Sequence, residues 1–424
     1  MQTIATQNLK TDIFIVEPLL CDSNGHPVEY VTGFSCSAKK AYPESRLVVF
    51  SAKIDEKLRP VLGSIKEIDH FEECFPSPLR ARVEDWHPPR FIIGRARRNA
   101  IELAKALRKT KVSSKAVFFF PTFDMGSIFM VGFLRLLMPF VDFRTIGILR
   151  IDPLYSVNGV QVVTNQKKLQ NTIGLNLLWK LSFWKSKLYA DSKPLCELYY
   201  RFFGLKCRLS PHLVMGCWSG EKGESETKIA RRGKLPIRVG FVGLPGGSVR
   251  NFPLFVLAGL ALEEERLNGE IEFVATMPPG CLGSGSDNPY ISILEMGLCG
   301  LKLERKDMPD ATDFAKAINE CDIFWNLGDP SHFVRGTSGR LVYSVCLGKK
   351  TITNKSEWLA SIRKPCRLIR EVDPNLDAVI AVMKEMMHSE YEPACYEEIR
   401  RWREMFSRKA WDEFVCDSIT RATA

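Results

Sequence analysis

Apolar residues along this chain fall into short solid runs separated by stretches where they recur every three or four places. DIFIVEPLL (12–20), RLVVFSA (46–52), KAVFFFPTF (115–123) and TIGILRID (145–152) are solid runs of strand length. Such runs suit strands buried on both faces, as in a parallel sheet. RARRNAIELAKALRK (95–109) and SIFMVGFLRLLMPF (127–140) have helical spacing and alternate with them. SFWKSKLYADS (182–192) reads as a strand near its end, PLCELYYRFFG (194–204) as a helix, and KCRLSPHLV (206–214) closes the first half.

The alternation resumes at LPIRVGFVGLPGG (235–247), EIEFVAT (270–276), DIFWNLGDP (322–330) and KKTITN (349–354). A helix, GRLVYSVCLG (339–348), lies between the last two, and Tyr391–Val415 reads as one long amphipathic helix. Between the halves, WSGEKGESETKIARRGKL (218–235) is polar, charged and glycine-bearing, as linkers are. Strands alternating with helices predict an α/β chain with parallel sheets. The domains expected are 1–215, a linker at 216–235, a second domain at 236–390, and a terminal helix segment, 391–424, returning toward the first. A length of 424 residues suits two or three domains.

The net charge of +10 changes the picture because it is uneven. Residues 1–215 hold 31 basic and 19 acidic side chains, whereas residues 216–424 hold 28 and 30. Within the first half, residues 90–201 hold 19 basic against 6 acidic. A patch of that sign attracts nucleic acid, an anionic membrane or an anionic substrate. No recognised nucleic-acid module accompanies it, so no nucleic-acid partner is expected. The thirteen cysteines are odd in number and none forms a CxxC pair, so a reducing, cytoplasmic compartment and no zinc site are expected. The N-terminus has no apolar signal core. The run at 127–140 carries Arg135 and falls short of the roughly 20 residues a spanning helix needs.

In open parallel sheets, ligands bind beyond the carboxyl ends of the strands. Residues just after each strand are therefore the candidates. Gly243-Leu244-Pro245-Gly246-Gly247-Ser248-Val249-Arg250 follows a strand and precedes a helix. Glycines let backbone N–H groups approach a phosphate, and Arg250 can neutralise an oxyanion. The stretch is neither a P-loop nor GxGxxG, and a plain strand–helix turn is the alternative. After the strand at 322–328 come Asp329, then Arg335, Thr337, Ser338 and Gly339, which suit a diphosphate at a helix start. There the alternative is capping alone. In the first half, Gly25 and His26 follow the first strand, Asp124 follows the third and Asp152 the fourth. His26, Asp124 and Asp152 are the catalytic candidates, and Gly25, His26 and Asp124 the acceptor-side ones. No GxSxG elbow is present, which argues against a Ser–His–Asp hydrolase.

Taken together, these residues resemble GT-B glycosyltransferases, close to the family-4-like bacterial sugar transferases, over nearly the whole chain. The most specific stretch is FVRGTSGRLVYSVCLGKKTITNKSEWLA (333–360). GFVGLPGGSVRNF (240–252) resembles the opening strand and phosphate loop of the donor domain, and NGHPVEY (24–30) the acceptor-domain loop. YADSKPLCELYYRFFGLKCRLSPH (189–212) resembles the end of the acceptor domain, and FSRKAWDEFV (406–415) the terminal helix that crosses back. One departure stands out. Members that retain anomeric configuration usually carry Glu–x7–Glu, and here Tyr343 occupies the register of the second glutamate, with Arg335 eight residues earlier.

The resemblance implies two Rossmann-like domains with parallel sheets facing a cleft. The second would hold a nucleotide-sugar donor, with its diphosphate at the two glycine loops. The first would hold a glycan or lipid-linked acceptor. The sugar nucleotide is then a substrate, and neither cofactor nor metal is implied. Hexosyl transfer with retention, in surface polysaccharide or glycoconjugate synthesis, is the implied activity. Tyr343 favours an alternative, a sugar-binding or assembly subunit without catalysis. A sugar-nucleotide epimerase on the same fold is another, because fold does not fix function. FMVGFLRLLMPF (129–140) and IGLNLLWKLSFWKSK (173–187) mix basic and aromatic residues, as surfaces resting on an anionic leaflet do. A cytoplasmic enzyme, peripheral at the inner face of the membrane, follows from that.

Overall fold

The computed structural model describes residues 11–20, 27–56, 58–76, 89–113, 115–150, 154–157, 160–163, 175–221, 236–243, 251–279, 289–295, 300–308, 310–328, 335–362, 366–390 and 393–424. The chain divides into two compact units, Met1–Leu213 with Lys409–Ala424, and Val214–Arg408.

The first unit is built on strands β1 (Asp12–Glu17), β2 (Arg46–Ala52), β3 (His70–Phe75), β4 (Lys115–Phe120), β5 (Asp142–Leu149), β8 (Ser186–Ala190) and β9 (Arg208–Leu209). They form one parallel sheet in the order β3-β2-β1-β4-β5-β8-β9. β6 (Leu154–Val157) and β7 (Val160–Val163) form a separate antiparallel hairpin. Phe14 stands beside Phe118 in register, with ring centroids 5.0 Å apart, and Phe50 and Phe143 extend the row across the sheet. Helices Pro89–Lys109, Met125–Leu137 and Leu175–Phe183 pack their apolar stripes into this core. Phe34, on helix Pro27–Ala41, stacks on Phe119, which points the opposite way along β4 from Phe118.

Helix Arg408–Thr423 also packs into the first unit. Trp411 meets Tyr30 edge-on and Phe414 meets Tyr189. The buried Asp412 carboxylate accepts hydrogen bonds from Ser37 Oγ at 2.5 Å and Lys40 Nζ at 2.7 Å.

The second unit repeats the plan with β10 (Ile237–Val242), β11 (Ile271–Met277), β12 (Lys302–Arg305), β13 (Ile323–Asn326), β14 (Lys350–Thr353) and β15 (Ile369–Glu371). Their order is β12-β11-β10-β13-β14-β15, again all parallel. One core gathers Phe241, Phe252, Phe255, Phe273 and Trp325. A second gathers Phe324, Tyr343, Trp358 and Trp402.

Three differences from the sequence pattern have physical causes. β3, β12 and β15 are sheet-edge or near-edge strands whose side chains are largely half-exposed, so they lack the solid apolar run that marks an inner strand. The stretch beginning at Ser182 is the end of helix Leu175–Phe183 before it becomes β8. The amphipathic segment 391–415 is not one helix but two, Pro393–Met405 and Arg408–Thr423. At the break, the Phe406 carbonyl accepts a hydrogen bond from Trp218 Nε1 at 3.2 Å. Trp402 and Phe406 stay in the second unit's core, and the chain passes into the first unit only after Arg408.

Gly240 in β10 has no room for a side chain, because a Cβ there would lie 1.9 Å from Cys321 Sγ. Gly240→Ala should destabilise the second unit by about 1–3 kcal/mol through overpacking. Adding Cys321→Ala should recover part of that loss. Urea denaturation of the two single variants and the double variant tests this; purely additive losses would show that the two sites do not couple.

Candidate ligand sites at the two switch points

In each sheet the strand order reverses once, between β1 and β4 in the first unit and between β10 and β13 in the second. Helices leave such a point toward opposite faces, which opens a crevice beyond the strand carboxyl ends.

In the second unit, Gly243 follows the end of β10 with φ of 103°, a conformation that only glycine adopts without strain. Its N–H bonds to the Thr276 carbonyl at 2.9 Å, tying the turn to β11. Gly246, Gly247, Ser248 and Arg250 lie outside the described residues, as does Asp329. The loop rejoins at Asn251, left-handed at φ 44°, where helix Phe252–Ala261 starts without a side-chain cap.

Across the crevice, Ser338 caps helix Gly339–Cys346. Its hydroxyl accepts from the Leu341 N–H at 3.3 Å and donates to Asn326 Oδ1 at 3.2 Å. Asn326 in turn donates to Thr353 Oγ1 at 3.0 Å, across the register pair that joins β13 to β14. Thr337 and Gly339 are buried beside this cap. Arg335 is buried as well. Its Nε and an Nη make a two-pronged pair with the Glu357 carboxylate, at 3.1 and 3.0 Å. The structure thus brings Arg335, Thr337, Ser338 and Gly339 together at one strand edge, with Arg335 already facing an anion.

Two features of this edge were not anticipated. β10 and β13 are in register only at Val239–Ile323 and Gly240–Phe324. Where they part lies Arg340, its guanidinium 5.1 Å from the Phe241 ring and 5.2 Å from Phe324, donating to the Trp325 carbonyl at 3.1 Å. Glu357 is the other. Tyr343, in contrast, is a core residue: its hydroxyl accepts from the Gly216 N–H at 3.2 Å, and its ring meets Phe314 edge-on. The register of the usual second glutamate is therefore enclosed by protein.

In the first unit, Gly25, His26 and Asp152 lie outside the described residues. Asp124 is described. It caps helix Met125–Leu137, with Oδ1 accepting from the Ser127 N–H at 2.7 Å. Beside it, at the end of the central strand, is Glu17, fully buried. Glu17 Oε1 accepts from the Leu19 N–H at 3.0 Å. Burial pushes the Glu17 carboxyl up to about 8, and the Asp124 carboxylate adds to the rise, while the Leu19 N–H, the Arg150 charge and a hydrogen bond with the Thr122 side chain oppose it. Near neutrality Glu17 is thus a carboxylic acid rather than a carboxylate. The sequence held one signal for it: a glutamate closing a solid apolar run, followed by Pro18.

Glu17 and Asp124 line a small recess, with room for about one water molecule, together with Arg95, Asn99, Thr122, Ser127 and Met130. Among the described residues, no group of three His, Cys, Asp or Glu is placed to hold a metal ion.

No protein-family model matches the chain, and no curated protein does. Solved structures do. α,α-Trehalose 6-phosphate synthase from Burkholderia multivorans superposes with a TM-score of 0.62 at 10% identity, covering 98% of this chain and 100% of that one. UDP-GlcNAc 2-epimerase from Neisseria meningitidis, bound to UDP-GlcNAc, gives 0.59 at 11% identity, covering 97% and 100%. A trehalose-6-phosphate protein from E. coli, bound with UDP-2-fluoro glucose, gives 0.59 at 12% identity, covering 98% and 99%. At these identities the likeness establishes the fold: two Rossmann-like α/β domains with parallel sheets, of the GT-B type.

A buried acid that keeps its proton makes stability depend on pH. The folded chain holds the Glu17 proton up to about pH 8, while the unfolded chain releases it near 4.5. Stability should therefore fall as pH rises through that window, by at most about 1.4 kcal/mol per pH unit, and level off above it. Glu17→Gln removes the titration. Its stability relative to wild type should climb from pH 4.5 to 8. A difference that stays flat in denaturant titrations across this range would refute the protonated state.

Proposed function

We propose that this chain is a glycosyltransferase that moves a sugar from a nucleotide-sugar donor to a glycan or lipid-linked acceptor. The reading is hexosyl transfer with retention, in surface polysaccharide or glycoconjugate synthesis. The observation that carries it is the second unit's switch point. There a positive-φ glycine turn and a helix start at Phe252 follow β10, and a capped helix start at Ser338, flanked in sequence by Arg335 and Arg340, is tied to the end of β13 through Asn326. Backbone N–H groups at helix starts beyond a parallel sheet, with arginines close in sequence, suit the diphosphate of a sugar nucleotide. Solved structures of the same fold, bound to UDP-GlcNAc and UDP-2-fluoro glucose, support the same ligand class here. On departure of a nucleoside diphosphate, negative charge grows on its oxygens, and Arg335, Arg340 and the helix start at Ser338 would stabilise it. Gly246, Gly247, Ser248 and Arg250 belong to the same proposal by sequence, as does Asp329. Asp124, with Gly25 and His26, is assigned to the acceptor side, and His26, Asp124 and Asp152 remain the catalytic candidates.

An anionic membrane surface is part of this reading. Trp179 is core, and so is most of helix Met125–Leu137. Its end is not: Leu136 is 53% exposed and Phe140, just beyond, 94%. Trp184 is 60% exposed, with Lys185 Nζ 5.1 Å from its ring centroid. Arg108 donates to the Leu137 carbonyl, which adds a second cation to this edge. Among the described residues no helix is long and apolar enough to cross a membrane. An apolar rim set among cations fits a protein that rests on anionic headgroups and meets a lipid-linked acceptor there.

Incubation with a sugar-nucleotide panel and glycan acceptors should release a nucleoside diphosphate and leave a glycosylated product of unchanged anomeric configuration. Interconversion of the sugar nucleotide without nucleotide release would mark an epimerase instead. Tight binding with neither reaction would mark a non-catalytic subunit. Arg335→Ala should weaken UDP binding by about 1.5–3 kcal/mol, the worth of a charge-assisted contact, in calorimetry. Unchanged affinity would remove Arg335 from the phosphate site. For the membrane, Phe140→Ser combined with Trp184→Ala should reduce flotation with phosphatidylglycerol-containing vesicles several-fold. Wild-type binding that ignores both anionic lipid and salt would sink that part.

A further inference from the structure

Arg135 is the basic residue in the last turn of helix Met125–Leu137, and only 7% of it is exposed. One Nη donates to the Phe143 carbonyl at 2.9 Å and to Thr145 Oγ1 at 3.4 Å. Its Nε is buried and, among the described residues, has no hydrogen-bond partner. No carboxylate among the described residues pairs with this guanidinium. Asp142 acts on it through its charge, but is itself taken up by Lys185 Nζ at 2.8 Å and Arg144 Nε at 3.1 Å. Burial pushes Arg135 down to about 10, with Asp142 opposing the fall, so the cation persists at neutral pH. A buried charge without an ion partner is costly, and a buried polar atom left unsatisfied calls for a reason.

What covers Arg135 is not core. The Trp184 ring, just past helix Leu175–Phe183, lies 5.6 Å from the guanidinium on one side and 5.1 Å from Lys185 Nζ on the other, yet the residue is largely exposed. Two cation–π contacts hold the indole, each modest in energy where water reaches it. Lys185 takes a left-handed backbone, φ 52°, at the turn that sets the ring there. Leu136 and Phe140 stand exposed at the end of the helix that carries Arg135. The cluster lies at the amino ends of β5 and β8, away from the strand carboxyl ends.

These features select an anion that carries an apolar body. A planar guanidinium matches phosphate oxygens, and Lys185 and Arg144 leave the cluster cationic after Asp142 is neutralised. An inorganic anion would use that charge and nothing else. A phospholipid also gives the exposed Leu136 and Phe140 an acyl layer, and offers the indole the interface that tryptophan favours. We propose that Arg135 is the headgroup site for an anionic phospholipid: Trp184 leaves the guanidinium for the membrane interface, and the headgroup phosphate takes its place beside Arg135 and Lys185. The proposal rests on the membrane part of the reading above, and it replaces general attraction to a charged leaflet by one built contact.

Salt separates the two, because exposed charges are screened at about 0.5 M and a partly buried pair much less. Flotation of the full chain with phosphatidylcholine vesicles, with and without phosphatidylglycerol, is the measurement. Wild type should keep a bound fraction on the phosphatidylglycerol vesicles in high salt. Arg135→Gln should lose that fraction, whereas Arg97→Gln, the same change at an exposed position, should keep it. A salt-resistant fraction that survives Arg135→Gln, or that Arg97→Gln removes equally, would overturn the site. Binding seen only at low salt would sink the site and leave the membrane reading standing; no binding at either salt would sink both. Complete release from the vesicles by millimolar inorganic phosphate would overturn the lipid as its source. Trp184→Ala keeps the test open if the glutamine variant does not fold. With the cover gone, glycerol phosphate should bind in solution several-fold more tightly than to wild type, and equal affinities would overturn the covered site.

Discussion

Each unit depends on one constraint, the parallel pairing of a central strand with neighbours that run the same way. β1 lies between β2 and β4, and β10 between β11 and β13. Parallel neighbours cannot be joined by tight turns, so every connection crosses a face of the sheet as a helix, and the crossings share one hand. The two chains of connections leave the central strand in opposite directions. The carboxyl end of that strand is thus the one place where buried backbone meets an opening. Glu17 ends β1, and Gly243 follows the end of β10, for that reason. Whatever chemistry either unit performs is confined by topology to these edges.

The two edges are opposite in character, and not in the way the charge count suggests. The first half holds the basic excess, yet its switch point sets a protonated Glu17 and the Asp124 carboxylate beside one lining cation among the described residues, Arg95. The excess lies instead on outward-facing positions such as Arg90, Arg97, Arg98, Lys105, Arg108 and Lys109, all exposed on helix Pro89–Lys109. The second half is nearly neutral, yet its switch point presents Arg335 and Arg340. Net charge reports the solvated surface, where a long cation is easily accommodated. A site is decided by the few charges that the fold takes out of water, and those are worth far more per group.

The same distinction explains what was legible in the sequence. β1, β2, β4, β5, β10 and β11 announce themselves because strands buried on both faces must be apolar throughout. β3, β12 and β15 do not, because edge and near-edge positions tolerate His70, Glu72, Glu304 and Arg370. The break at Phe406–Ser407 was invisible because the helical pattern continues through it; only the Trp218 contact, far away in sequence, shows why the chain turns there. At the sites, small and glycine residues after strands were readable as turns near a ligand. Glu17 and Arg340 were not, since their meaning comes from burial and from neighbours such as Phe324 that are brought close by the fold.

Arg335 shows how a motif residue can be placed correctly and still have altered chemistry. Its buried guanidinium is balanced by Glu357; a lone buried cation would be expensive. Under the donor reading, an incoming diphosphate does not meet a vacant arginine. It replaces one anion by another, and the Glu357 carboxylate, about half-exposed, is released into water that solvates it readily. The exchange keeps the arginine oriented before the ligand arrives, so little side-chain order must be created on binding. Its penalty is net affinity, because part of each phosphate contact only replaces a contact already made. Tyr343 is enclosed in the core, and among the described residues Glu357 is the acid paired with Arg335. Under that reading, an exchange pair of this kind couples the grip on phosphate to the position of the Glu357 carboxylate.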